Sequence, residues 1–525
     1  MQQLTGTDTG FLQQEQGNVF LHVAGLAIYD PSTAPGGKVR FKDILKFVLG
    51  RIRLEAAKAY RRQLVTVPLS LDRPYWIENS DIDVEFHVRH IALPQPGDWR
   101  QLMIQVARIH SRPLDRSRPL WEAYVIEGLD RIPGLPKGSF AVFSKIHHAV
   151  IDGQAGAAML KTMHAQTPAI GREARVAAPA RVEHKPQDAQ LLALAVVNNV
   201  LRMKNLAALT LEGAGNIGRM AMAGVSKLRE AKPESEGDAP GAGLKRPGTR
   251  FNTPISASRI VEAVDFPVDG LKRIAAKVDG ATLNDVFLAL VGGAMRKYLE
   301  SKHELPATSL NAMVPISVRD STKADQGGNQ VSLTVMDLRT EIADPLERLA
   351  TVHRGASRAK RTSAALGKHL IKGFLDESPV VISNWVTRNV VTRMMNMTVS
   401  NVRGPDVPLY LAGAKLVRNY PVSAIADYLG LNVTAFSYNG VFSVCAVADR
   451  AMMPDPAFFA DCLRESYREL EKARSAGTVS RASARRSGAG AGARGKATAG
   501  AGAGSVTARR PRKRQRGDAS ALRGT

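Results

Sequence analysis

The stretch GLNVTAFSYNGVFSVCAVAD, Gly430 to Asp449, leaves the chain little choice of local structure. Two runs of β-branched and aromatic residues meet at Asn439-Gly440, a pair that accepts the positive φ angles of a type I′ turn. The stretch therefore predicts an antiparallel hairpin, which excludes an all-helical fold. Its surroundings exclude an all-β one. ATLNDVFLALVGGAMRKYLE reads as a helix with its capping residue at Thr282 or Asn284, and PDPAFFADCLRESYRELEKA as a closing amphipathic helix. LNAMVPISVRD and NQVSLTVMDL read as strands between them.

The first part of the chain alternates in the same way. VFLHVAGLAIYD and GSFAVFSKIHH carry strand patterns, KVRFKDILKFVLGRIRLE a helical one, and QLMIQVARIHSRPL a helix stopped by Pro113. At 525 residues and 44% hydrophobic content there is material for two or more substantial cores. The expected division is an α/β half over 1–165, a helical crossover and linker over 166–250, a second α/β half over 251–472, and a tail over 473–525. The linker ends in the polar, Gly/Pro-rich REAKPESEGDAPGAGLKRPGTR.

Charge and cysteine usage narrow the setting. The net charge is +24, and from Ala473 onward 13 Lys+Arg face the single acid Asp518. That Ala/Gly/Ser/Arg-rich tail lacks the apolar side chains needed to offset ordering entropy, so disorder is expected. Two cysteines, Cys445 and Cys462, give neither a disulfide framework nor a zinc pattern and fit a reducing, cytoplasmic compartment. The N-terminus has no signal-peptide pattern. The most apolar stretch, LLALAVVNNVLRMKNLAALTL from Leu191, is broken by Asn198, Asn199, Arg202 and Lys204. It is too polar for a comfortable span. A packed helix, or one lying at a lipid or protein surface, fits better.

The polar feature that stands out is SKIHHAVIDG, Ser144 to Gly153. It ends a strand and leads into the helix-forming GQAGAAMLKTMHA. Successive strand side chains point to opposite faces, so if the strand runs that far His147 and His148 cannot both face one reaction centre. One should meet substrate while the other packs behind the sheet. Asp152 stands where either an N-cap or a charge partner would sit. No further ligand-type residue falls nearby at metal spacing, so no metal is expected. Two α/β halves around one polar motif suggest an active site at their interface.

These residues carry a resemblance. HHAVIDG matches the HHxxxDG motif of the chloramphenicol-acetyltransferase-like superfamily. PLDRSRPLWE (Pro113–Glu122), LNDVFLA (Leu283–Ala289), VPISVR (Val314–Arg319), GNQVS (Gly328–Ser332) and SNVRGP (Ser400–Pro405) look like one family within it. So do LTGTDTGFL and HVAGLAIYD near the N-terminus. Over Leu4 to about Leu470 the chain resembles the bacterial wax ester synthase/diacylglycerol acyltransferase family, with Arg403 standing where that family usually has proline.

The resemblance implies a fold of two chloramphenicol-acetyltransferase-like halves, each a mixed sheet flanked by helices. It implies a long-chain acyl-CoA co-substrate, no separate cofactor, and diacylglycerol or a long-chain alcohol as acceptor. His148 would be the general base, with His147, Asn284 and Asp285 supporting and Asp152 and Gly153 shaping the motif loop. Trp121, in PLWE, reads as a core aromatic. The chemistry agrees: an imidazole with pKa near 6.5 can take the alcohol proton during attack and return it to the departing thiolate. Neither cysteine has a histidine nearby in sequence, which favours direct transfer over an acyl-cysteine. Two other readings stay open. One is a condensation-type enzyme acting on carrier-bound substrates; the other is a non-catalytic lipid-inclusion or polyanion-binding protein. The RRPRKRQR cluster (Arg509–Arg516) suggests peripheral contact with an anionic membrane or inclusion surface at the inner face of the membrane. Nucleic acid is the less favoured polyanion.

Overall fold

The hairpin forms as its turn residues require. Strands β14 (Leu431–Tyr438) and β15 (Val441–Asp449) pair antiparallel with Tyr438 opposite Val441, and Asn439 and Gly440 take φ of 46° and 81°. The structure, a computed structural model, describes residues 1–151, 153–169, 182–204, 246–317, 331–365 and 391–474. The hairpin sits in a six-stranded mixed sheet ordered β10-β9-β11-β14-β15-β8. Its other members are β8 (Arg259–Pro267), β9 (Asn311–Ser317), β10 (Val331–Asp337) and β11 (Met397–Arg403). β11 runs parallel to both of its neighbours, β9 and β14.

A second six-stranded mixed sheet is ordered β12-β13-β2-β7-β6-β5. Four of its strands come from the first half: β2 (His22–Asp30), β5 (Val88–Ala92), β6 (Trp121–Glu127) and β7 (Phe140–His147). The other two, β12 (Tyr410–Leu411) and β13 (Ala414–Val422), come from the second half. β13 lies antiparallel along β2, from Lys415 opposite Asp30 to Val422 opposite Ala24. The division at residue 250 thus separates the chain, but not the sheets. A small sheet of β1 (Gln2–Gln3), β4 (Tyr75–Glu78) and β3 (Arg62–Val65) completes the strands.

The helices are α1 (Gly6–Gln14), α2 (Phe41–Ile52), α3 (Val84–His87), α4 (Trp99–His110) and α5 (Gly153–Met163). They continue with α6 (188–204), α7 (Val268–Ala275), α8 (Leu283–Ser301), α9 (Pro345–Ala365) and α10 (Pro456–Lys472). α8 is the buried centre of the second half, apolar on nearly every side, with Val286 to Val291 wholly inaccessible. Each such Leu or Phe contributes about 1.5–3 kcal/mol relative to exposure. Gly292 lets α8 approach the strand end, because a Cβ there would stand 2.2 Å from the Leu338 carbonyl oxygen.

One hydrophobic core runs through both halves, from Leu26, Leu102 and Phe143 to Phe287, Val444 and Leu470. Residues Met1–Ser475 accordingly form one compact unit. Asp152, the tail from residue 475, and most of the 166–250 crossover and of GNQVS lie outside the described residues.

Candidate active site

β7 ends at His147, and His148 opens the turn that follows it. Lys145 and His147 share the face toward α4, where the Lys145 ammonium donates to the Arg112 carbonyl at 2.9 Å. His147 is 1% exposed, and its Nδ1 accepts the Ala149 N–H at 3.0 Å. A backbone amide can only donate, so Nδ1 carries the lone pair and the neutral ring holds its proton on Nε2. That nitrogen lies 3.2 Å from the Glu15 carboxylate. The approach is too oblique for an in-line hydrogen bond.

His148 is only half-buried. Its ring stacks on Phe11 of α1, with centroids 4.3 Å apart and planes at 21°. Its backbone N–H donates to the Leu21 carbonyl at 2.9 Å. The more accessible imidazole is therefore His148.

Glu15 is the residue that sequence reasoning passed over. It caps the end of α1, and one oxygen accepts the Leu21 N–H at 2.7 Å besides facing His147. The other accepts from Arg116 at 2.9 Å, and the same Arg116 nitrogen reaches the Leu12 carbonyl at 2.6 Å. One carboxylate thus ties α1, which carries Phe11, to the start of β2 and the end of β7. Burial alone would raise its pKa. The contacts with His147, then Arg116 and the Leu21 N–H, outweigh burial and hold it at about 2. The only signals in sequence were Arg116 inside PLDRSRPLWE and the proximity of Glu15 to LTGTDTGFL.

The remaining candidates divide. Gly153 is the first residue of α5, whose body packs on β11. β11 also carries Asn401, whose amide reaches the Asn284 side-chain oxygen at 3.4 Å, at the start of α8. β11 is thus the common neighbour of the motif's helix and of the LNDVFLA segment. Asp285 serves the fold, closing a capping box with Thr282 and accepting from His353 Nδ1 at 2.9 Å. Trp121 is core, as read from sequence; its indole N–H donates to the Tyr60 carbonyl and its ring stacks on His87. In SNVRGP, Arg403 makes an exposed ion pair with Asp406. Gly404 has no room for a side chain, since a Cβ would stand 2.3 Å from the Ser437 carbonyl and 2.4 Å from the Phe436 ring.

Both thiols are buried, and burial pushes the pKa of Cys445 far up and that of Cys462 to about 11. Neither is a thiolate at neutral pH, as an acyl-accepting cysteine must be. Two clefts lie away from the histidines: one of about 320 Å³ beside His87 and Arg118, the other of about 580 Å³ beside Trp99 and Glu262.

The chain matches two family profiles in order. Residues 4–287 match the wax ester synthase/diacylglycerol acyltransferase catalytic domain, and residues 327–471 match the C-terminal domain of the same proteins. The chain belongs to the wax ester synthase/diacylglycerol acyltransferase family. It is an acyltransferase. Among similar proteins, Rv1760 of Mycobacterium tuberculosis, provisionally named a diacylglycerol O-acyltransferase, is 32% identical over 480 residues, 90% of each chain. Tgs2 of the same organism is 30% identical over 474 residues, 89% of this chain and 98% of that one. The solved wax ester synthase/diacylglycerol acyltransferase of Marinobacter aquaeolei VT8 superposes with a TM-score of 0.60 at 27% identity, covering 89% of this acyltransferase and 98% of that chain. The trichothecene 15-O-acetyltransferase TRI3 of Fusarium sporotrichioides (TM-score 0.55, 10% identity, 89% and 94% coverage) shares the fold alone. So does the first condensation domain of the calcium-dependent antibiotic synthetase (0.51, 15%, 90% and 95%), and the condensation-type reading is not favoured.

Proposed function

We propose that this acyltransferase moves a long-chain acyl group from acyl-CoA to diacylglycerol or a long-chain alcohol, directly, with His148 as the base. The observation that carries this reading is the split between the two histidines. His147 is fully buried against Glu15, while the half-buried His148 is held by stacking on Phe11 and by the Leu21 carbonyl. His148 takes the acceptor's hydroxyl proton as the oxygen attacks the thioester carbonyl, and returns it to the coenzyme A thiolate as the C–S bond breaks. The raised thiol pKa values support transfer without an acyl-cysteine. Asn284, held by Asn401 on the strand against which α5 packs, is a polar group offered to the reaction, and Gly153 opens α5 after the motif turn.

Both acceptors are nearly insoluble in water, so the reading includes peripheral contact with a membrane or lipid inclusion. Among the described residues no helix is long and apolar enough to cross a membrane. The RRPRKRQR cluster would add electrostatic attraction to anionic lipid.

Labelled palmitoyl-CoA offered with hexadecanol, diacylglycerol or no acceptor, with the lipid products resolved, tests the reaction. His148→Ala should abolish product while Tm stays near that of the parent, and His147→Ala should chiefly lower Tm. Full turnover in purified His148→Ala would remove the base assignment.

A further inference from the structure

α6 is turned inside out for a helix at a protein surface. The residues it buries are Leu191 and Ala195, followed along the same stripe by the polar Asn198 and Arg202. Asn198 donates to Asp72 and to the Tyr75 hydroxyl, each at 2.8 Å, and Arg202 donates to Asp72 at 2.5 Å. The side facing water is the apolar one: Val196 is 66% exposed, Val200 66%, Leu201 53% and Met203 61%. An ordinary amphipathic surface helix has the opposite arrangement.

A second apolar feature adjoins it. Asn199 donates to the Leu71 carbonyl at 2.8 Å, which fixes the turn Pro68–Ser70 beside α6. In that turn Leu69 is 88% exposed at a φ of 55°, and Ser70 follows at 53°. A leucine in the left-handed region costs of order 1 kcal/mol or more, and here the strained conformation presents it to solvent. Scattered exposed leucines need no explanation, but a contiguous apolar patch does.

Charge selects the partner. The acid between the turn and the helix, Asp72, has no exposed side-chain surface and is neutralised by Arg202. Lys204 stands exposed at this end of α6, while the helix's own exposed acid, Asp188, lies sixteen residues back, about 24 Å along the axis. An apolar surface with a cation and, among the described residues of α6 and the turn, no bare carboxylate at its Leu69 end matches a lipid surface with anionic headgroups.

We propose that the outer side of α6 and the Leu69 turn form the face on which the enzyme docks to lipid. This deepens the proposed function, since an insoluble acceptor must be met at such a surface. α6 lies in the surface plane, its valines and Met203 entering the acyl boundary and Leu69 acting as a wedge.

The test is co-sedimentation of the full chain with phosphatidylcholine vesicles containing phosphatidylglycerol, at about 1 M salt so that basic-cluster attraction is screened to a few ångströms. The combined variant Val196→Ser, Val200→Ser, Met203→Ser should bind vesicles about 10- to 100-fold more weakly. Its turnover on vesicle-borne diacylglycerol should fall, while turnover on a short water-soluble alcohol stays at the parent level. Leu69→Gly, which relieves the positive φ, should also weaken binding with Tm unchanged or raised, and it serves if the triple variant does not fold. Unchanged vesicle binding in folded variants would overturn the docking face, as would loss of a dimer without loss of vesicle binding, which would give the face to a second copy. Failure of the parent to acylate any acceptor would instead strike the proposed reaction, because vesicle binding is read without turnover.

Discussion

Glu15 connects the residue scale to a measurable pH dependence. Its carboxyl stands at about 2 in the folded protein against an ordinary 4.5, because His147, Arg116 and the Leu21 N–H stabilise the charged form against its burial. An acid with a depressed folded pKa stabilises the fold above its unfolded value and loses that contribution as pH falls through the folded one. The gap corresponds to about 3 kcal/mol. The stability difference between the parent and Glu15→Gln, read by urea unfolding, should be constant above about pH 5 and shrink steadily toward pH 2. A pH-independent difference would show that the charge does not matter. The histidine pair was legible in the sequence because its spacing is local. Glu15 was not, since what defines it is meeting Arg116 and His147, both distant along the chain.

Among the elements, the same contrast of local and distant causes decides what could be read. The β14–β15 hairpin and its Asn439-Gly440 turn follow from neighbouring residues, and so do the Thr282 cap and the apolar length of α8. β11, β12 and β13 had no such signal. NVRGPDVPLYLAGAKLVRNYPV is broken by Pro and Gly, and only the strands on either side make its segments extended. Gly404 is the clearest case: a glycine after an arginine says nothing until Phe436 and Ser437 are packed against it. Gly404→Ala should therefore cost about 1–3 kcal/mol through overpacking at the end of β11. Thermal unfolding checks it, and because β11 bears Asn401, turnover should fall with it. An alanine accepted without loss would mean that the strand end yields.

For the whole molecule, the crossing of β12 and β13 into the first sheet outweighs the boundary at residue 250. The core from Leu26 to Leu470 is continuous, and Lys415 to Val422 pair with β2. A fragment covering residues 1–250 lacks those two strands and half of its core. It should not fold alone by circular dichroism and tryptophan fluorescence, whereas co-expression with 251–525 should restore a folded complex. A cooperative melt from the isolated fragment would contradict this. The division into similar α/β halves was visible in the alternation of patterns; their mutual completion was not, because a strand's partner is not written in the strand.

That completion also bears on how the protein is made. β7 is complete once His147 has been added and leaves the ribosome a few tens of residues later, but the far edge of β2 stays open until Val422 follows. At about 5–20 residues per second, the intervening roughly 275 residues take some tens of seconds to synthesise. For that interval the nascent chain carries a nine-residue strand with one unpaired side, the kind of edge that recruits neighbouring chains. Slowing elongation between β7 and β13 should lengthen the exposure and raise the demand for chaperones during expression, even though the finished enzyme shows no such edge on β2.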